Sequence, residues 1–338
     1  MHIEGSLEGR MRSQRALTLS AIAFLGLAAA ACDAPKSKNA APGGAPIRVA
    51  GYEGINSATP FFVAQKLGYF KEAGLEVSYV TMASGAPALA AALKTGDIDV
   101  GLGAASQWMS DYARGAIQGK IIGELTDNNY VILGGKGITD VRQLKGKVFA
   151  ISAHNGGDHL YSQAVLAHYG VGPDALTWLP MGSPASRLIA LQTGKVDATE
   201  LTLTNLPASA RGQVIVTADA SPVPFVSSAI FARQALLQSN RPALQKFLAA
   251  IGKASVWIRA HPTEAVQACQ ESGSDAEGCK IAIQAAISAK NDYTWSQSSR
   301  VNTDAIRAML PIVASVVPQA KTLTVADVVD TSVAAVGP

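Results

Sequence analysis

Two stretches, ALKTGDIDV from Ala92 to Val100 and ALQTGKVDA from Ala190 to Ala198, carry Thr, Gly and Asp in the same register. The likeness extends upstream, where Gly85-Ala86-Pro87-Ala88 precedes the first copy and Gly182-Ser183-Pro184-Ala185 the second. Each copy also follows an apolar run of strand length, LEVSYVTM from Leu75 and ALTWLPM from Ala175. Before those runs lie two helix candidates, FFVAQKLGYFKEAGL closing at Gly74-Leu75 and DHLYSQAVLAHYGV closing at Gly170-Val171. Gly just past a helix end accepts the left-handed backbone without a Cβ penalty. Before the helices come IRVAGY (Ile47 to Tyr52) and KVFAIS (Lys147 to Ser152), again of strand length. Each half therefore reads strand, loop, helix, strand, Gly-loop, helix, Thr-Gly turn, strand, and a duplicated plan of this kind predicts two similar α/β lobes with mostly parallel sheets.

The segments between and after the copies predict how the lobes connect. YVILGG (Tyr130 to Gly135) is extended and leads through GITDVRQLKG into the second copy. PFVSSAIFA (Pro224 to Ala232) is again extended, and Pro242 then opens a long helix with Leu244, Phe247, Leu248, Ile251 and Ile258 on one face. Two extended crossings imply a two-strand hinge. The boundaries read as a signal peptide over 1–31, a linker over 32–46, one lobe from 47–134 plus 225–338, and a second from 135–224. Ligands of open parallel sheets sit beyond the carboxyl ends of the strands, so two facing lobes place one site in the cleft between them.

Composition narrows the function classes. The 338 residues fit two domains at roughly 150 residues each. With 28 Lys+Arg against 25 Asp+Glu, no basic excess is present to neutralise a phosphate backbone, so nucleic acid is not an expected partner. Three cysteines fall short of a disulfide-dense scaffold and of a four-cysteine zinc site. From Ala16 to Cys32 the chain reads ALTLSAIAFLGLAAAAC behind Arg10, Arg12 and Arg15, which is a basic region, a short apolar core and small residues at a cleavage site. Met11 is an alternative start. The Ala-Ala-Ala-Cys ending at Cys32 resembles a bacterial lipobox, in which the cysteine is lipidated and becomes the first mature residue. Lipoboxes prefer Leu where Ala29 stands, so ordinary cleavage after Ala31 remains open beside it. Cys269 and Cys279 are left as a pair, read either as a disulfide in an oxidising compartment or as two free thiols on a helical segment.

The run from Pro60 to Val77, PFFVAQKLGYFKEAGLEV, resembles the opening of the periplasmic substrate-binding proteins of ABC importers in the nitrate, sulfonate and taurine group, which also includes binders of thiamin-pyrimidine precursors. GDIDVGLGA, DVRQLKGKVFAIS and ALQTGKVDA are similar to later landmarks of that family. The resemblance implies a type II, two-lobed flytrap that closes on a small molecule and delivers it to a membrane permease driven by an ATPase. The expected protein is a periplasmic monomer attached to the membrane only through a lipid on Cys32, or soluble in the periplasm if cleaved after Ala31, and no cofactor and no metal are expected.

Loops at the strand ends name the candidate contacts. They are Tyr52, Glu53, Asn56 and Thr59 after the first strand, Ser84 and Gly85 after the second, and Ser106 after the third; the second copy offers His154, Asn155, Gly156, Gly157, Glu200 and Thr202. Helix N-termini present unpaired N–H groups and partial positive charge, so these loops suit an oxyanion, and none of them contains Lys or Arg. Each residue has a structural reading as well: Ser84 and Ser106 as caps, His154 as a hydrogen-bonded histidine, Asp158 as a partner of its helix N-terminus, and Tyr52 and Trp108 as core. Should Glu53 or Glu200 face the cleft, the ligand needs a cationic or N–H group, as in taurine or an aminopyrimidine.

Catalytic motifs are weak by comparison. Gly101-Leu102-Gly103-Ala104-Ala105-Ser106 approximates GxGxxG but ends in Ser and sits after the third strand rather than the first. No GxSxG, GxxxxGK[ST] or HExxH occurs. The resembling family has an enzyme branch that makes the thiamin pyrimidine; its cysteine-rich motif is absent, so no enzyme is expected. A sensor module with the same cleft is the rival reading.

Overall fold

The computed structural model describes residues 46–82 and 86–334. The lipobox cysteine Cys32 and the loop residues Ser84 and Gly85 lie outside them. The described chain forms two five-stranded sheets, in the orders β2-β1-β3-β10-β4 and β7-β6-β8-β5-β9. The first contains β1 (Ile47–Tyr52), β2 (Val77–Met82), β3 (Val100–Gly103), β4 (Gly119–Thr126) and β10 (Ser228–Arg233). The second contains β5 (Tyr130–Gly134), β6 (Val148–Ile151), β7 (Thr177–Pro180), β8 (Ala198–Thr202) and β9 (Val214–Val216). In each sheet the first three strands pair in parallel and one strand, β10 or β5, runs against its neighbours. The repeat seen in the sequence is thus a repeat of topology.

One boundary moves. Tyr130–Gly134, read from sequence as the end of the first lobe, pairs along its whole length with Thr202–Ala198 and so belongs to the second sheet. The first crossing is the short Asp127-Asn128-Asn129 between β4 and β5, and the second is the segment 217–227 between β9 and β10. Gly74 and Gly170 take the left-handed conformation expected past their helices.

The core explains several sequence choices. Trp108, on the helix Ala105–Ala113, is 1% exposed and stacks on Phe231 with ring centroids 5.3 Å apart. A β-carbon at Gly101 or Gly103 would come within 3 Å of that indole, so the glycines of the GxGxxG-like run serve close ring packing. Trp108 is therefore core. Phe61, Phe62, Phe70 and Phe247 pack the helices Thr59–Lys66 and Arg241–Ala260 together under β1. Cys269 and Cys279 are joined by a disulfide that ties helix Pro262–Cys269 to helix Ala276–Ile287. Among the described residues no helix is long and apolar enough to cross a membrane.

Candidate functional site

The two sheets meet where helix starts face each other. Ser106 opens the helix after β3 and is 2% exposed; Gly157 opens the helix Gly157–His168 after β6. A β-carbon placed on Gly157 would stand 3.0 Å from the Tyr130 hydroxyl and 3.1 Å from the Ser106 hydroxyl. This is a junction between the lobes, and it brings two helix N-termini, with their unpaired N–H groups, to one place. Tyr130 is held by ring contacts to Tyr161 and Phe225, so one aromatic cluster bridges strand β5 and the second crossing. Burial pushes the Tyr130 hydroxyl well above its usual range, and Glu200 and Tyr52 add to the effect. The phenol therefore stays protonated.

The loop between β6 and its helix is shaped from within. Asp158 accepts hydrogen bonds from the Ser152 backbone N–H at 2.5 Å and the Ser152 hydroxyl at 2.6 Å. Asn155 sits at φ 64°, a conformation Asn tolerates better than most residues, and its N–H donates to His159 Nδ1 at 2.9 Å. Burial holds the His159 imidazole below its usual pKa, with His154 reinforcing and Asp158 opposing. His154 itself is exposed.

Beneath this loop lies a buried charge group that the sequence reading missed. Arg187, one turn into the helix Pro184–Gln192, is 4% exposed and donates to the Gly182 and Glu200 carbonyls, to Asp158 at 3.3 Å and to Glu200 at 3.4 Å. The loops do lack Lys and Arg, but a helical side chain leans toward its own N-terminus and so reaches under them. Glu200 is 1% exposed and its Oε1 has no partner. Burial pushes Glu200 well above the ordinary carboxylate range, Arg187 opposes this and Asp158 adds to it. Asp158 is thus an ion-pair and loop residue, and Glu200 faces a cation of the chain itself.

Beside the junction is a cavity of about 320 Å³ between the sheets. On the first-lobe side it is walled by Ser57, Thr126, Trp295 and the small-residue face of helix Ala276–Ile287; on the other side stand Leu203, Thr204, Leu206 and Arg211, with Asn128, Asn129 and Asp219 from the crossings. The volume is at the lower end of small-molecule pockets. Asn129 Oδ1 is buried there without a partner. Arg211 and Asp219 supply one charge of each sign.

None of the described candidates from sequence is among the residues that wall this cavity. Asn56 and Thr59 are buried, and Thr59 donates to the Asn56 carbonyl at 2.6 Å, closing its own turn. Tyr52 is half-buried, and burial raises its hydroxyl pKa. Thr202 bonds Thr204, a cavity residue, at 2.8 Å. Gly156 and Gly157 form the loop apex at the junction. Glu53 is exposed with its stem against Gly273, apart from Glu200. The cavity itself uses Asn128, Asn129, Arg211, Asp219 and Trp295, none of which lies in the loops the repeat pointed to. TDNNY, between two strand runs, was the one local signal for the first crossing; Trp295 had none.

With the geometry established, comparison adds the lineage. A family model described as NMT1/THI5 like matches residues 55–265. The chain belongs to the NMT1/THI5-like family. Among curated relatives, a Saccharomyces cerevisiae protein named 4-amino-5-hydroxymethyl-2-methylpyrimidine phosphate synthase THI13 is 27% identical over 224 residues, covering 61% of this chain. The match spans 64% of the yeast protein's length. Among solved structures, the periplasmic aliphatic sulphonate binding protein SsuA from Escherichia coli superposes with a TM-score of 0.67 at 18% identity, over 85% of this chain and 92% of that one. The periplasmic nitrate-binding protein NrtA from Synechocystis gives a TM-score of 0.55 at 15% identity, over 69% and 68%. This NMT1/THI5-like chain therefore has the periplasmic-binding-protein fold, as the resemblance implied.

Proposed function

We propose that the chain is the extracytoplasmic solute-binding component of an ABC importer, which captures a small organic solute between its lobes and hands it to a permease. The observation that carries this reading is the cavity of about 320 Å³ walled by residues of both lobes and of the two crossings that join their sheets. A binding protein needs a site whose completeness depends on lobe closure, because a ligand shifts an equilibrium only by preferring one state. The opposite charges of Arg211 and Asp219 in the cavity wall favour a taurine-like zwitterion, with Arg211 toward a sulfonate and Asp219 toward an ammonium. The fold shared with a sulphonate binder agrees with this choice.

A second reading, a binder of an aminopyrimidine, draws on the yeast relatives' name and on the Trp295 wall with the unpaired Asn129 Oδ1. Thermal-shift measurement of the exported chain with taurine, alkanesulfonates, nitrate and hydroxymethylpyrimidine separates them, since binding to the folded state raises the midpoint. One stabilising class is expected, and silence from all four removes the ligand proposal. Export with lipidation at Cys32 belongs to the same proposal: Cys32→Ser should release the protein from membranes, whereas unchanged soluble release points to cleavage after Ala31.

A further inference from the structure

Residues 288–302 join helix Ala276–Ile287 to helix Thr303–Val316 without regular structure, yet they are pinned along β4. The Trp295 N–H donates to the Leu125 carbonyl at 2.9 Å, and the Glu124 N–H donates to the Ser299 carbonyl at 3.1 Å. The Asp127 N–H donates to Thr294 Oγ1 at 3.2 Å, and the Asn302 N–H donates to Glu124 at 2.7 Å. β4 is an edge strand, so this strap satisfies backbone groups that would otherwise be open. The strap also crosses the long helix Arg241–Ala260 where a β-carbon on Gly252 would overlap the Gln297 carbonyl.

Keeping this course forces Trp295 to φ 45° and Ser299 to φ 50°. The left-handed region is sterically disfavoured for a non-glycine residue, and it is least expected of a bulky side chain. What the strained turn achieves is placement. The Trp295 indole is turned inward and 3% exposed, its Nε1–H donates to the Ser57 carbonyl at 2.8 Å, and its ring walls the cavity opposite Leu203 and Thr204. One residue earlier, Thr294 holds the Asp127 N–H at the start of the first crossing. The same strap thus touches the cavity and the hinge.

We propose that Trp295 is a specificity-determining wall of the solute cavity and that the strap carrying it couples the shape of that cavity to the first hinge crossing. The wall rests on the solute-binding reading; the coupling does not. When the angle of Asp127-Asn128-Asn129 changes, the bond to Thr294 shifts the neighbouring indole, and a solute pressing on the indole is felt at the crossing.

The test uses the exported chain, with Trp295→Phe, Trp295→Ala, Thr294→Val and, as a control, Trp257→Phe, whose ring stacks on His261 away from the cavity. Without ligand, the emission difference between wild type and Trp295→Phe isolates Trp295 and should be blue-shifted and shielded from acrylamide. Thr294→Val, compared with its own Trp295→Phe double variant, should raise that quenching about twofold or more; unchanged quenching overturns the coupling. With taurine, alkanesulfonates and hydroxymethylpyrimidine as probes, the one that binds wild type should lose about tenfold in affinity in Trp295→Ala, which corresponds to about 1.4 kcal/mol. Trp295→Phe should lose less and Trp257→Phe should change little. Equal affinity in wild type and Trp295→Ala overturns the wall. If no probe binds wild type, the solute-binding reading falls and the wall with it, while the emission experiment still decides the coupling. Where Trp295→Ala fails to melt cooperatively, Trp295→Phe carries the affinity comparison.

Discussion

Gly157, at the first residue of its helix in the second lobe, approaches Ser106 of the first lobe so closely that a β-carbon on Gly157 would lie 3.1 Å from the Ser106 hydroxyl. The same β-carbon would lie 3.0 Å from the Tyr130 hydroxyl of its own lobe, so bulk at this position should act both on closure and on the second lobe. Gly157→Val is expected to weaken solute binding about tenfold or more, with some lowering of the melting midpoint from the contact with Tyr130. Scattering should show a larger radius of gyration for the variant, and an unchanged radius with full affinity would show that the lobes close without this contact.

Among the described residues, Arg187 is the one cation that pairs with both Asp158 and Glu200. Removing it leaves Asp158 buried without its cation, and breaking a buried pair from one side costs about 3–5 kcal/mol. Arg187→Ala should therefore melt well below wild type in calorimetry. Adding Glu200→Gln should restore little, because Asp158 remains unpaired; full restoration would place the burden on Glu200 instead.

Glu124 offers a test by pH. It is 1% exposed, one oxygen accepts the Asn302 N–H at 2.7 Å and the other has no partner. Burial pushes its pKa well above the carboxylate range, and nearby Asp127 adds to the shift. The folded state therefore holds this proton more tightly than the unfolded chain. That contribution to stability is fully present below the unfolded value, about 4.3, and is lost as pH rises through the raised folded value. Glu124→Gln keeps an acceptor for Asn302 and cannot ionise, so its melting midpoint should gain on wild type as pH rises from 4 to 8. A midpoint difference that stays flat over this range would contradict the assignment.

Gly252→Ala should disturb the strap, since the new methyl would overlap the Gln297 carbonyl and neither backbone can yield cheaply. Overpacking of this kind costs about 1–3 kcal/mol, and hydrogen exchange should quicken in residues 288–302 before the rest of the fold. Uniform destabilisation without local exchange would show that the helix, not the strap, absorbs the change.

The duplicated plan was readable because hydrophobic runs, glycine stops and the Thr-Gly turns recur in register, and these are local properties of the chain. β4 was not, because GKIIGELT carries Gly123 and a buried acid, Glu124, in the middle of a strand whose outer edge is covered by the strap. The strand-end loops were likewise readable from topology, which brought Ser106 and Gly157 together. Arg187 and Trp295 were not, because what matters about each is where a side chain travels: Arg187 reaches back under a loop, and Trp295 arrives from the far end of the sequence on a segment with no periodic pattern.

The most direct test of solute capture by lobe closure is titration calorimetry of the wild-type chain and Gly157→Val against taurine, alkanesulfonates, nitrate and hydroxymethylpyrimidine. Capture predicts saturable heat at one solute per chain for a single class, sharply reduced in the variant. No saturable heat with any class, or identical isotherms for the two proteins, would contradict it.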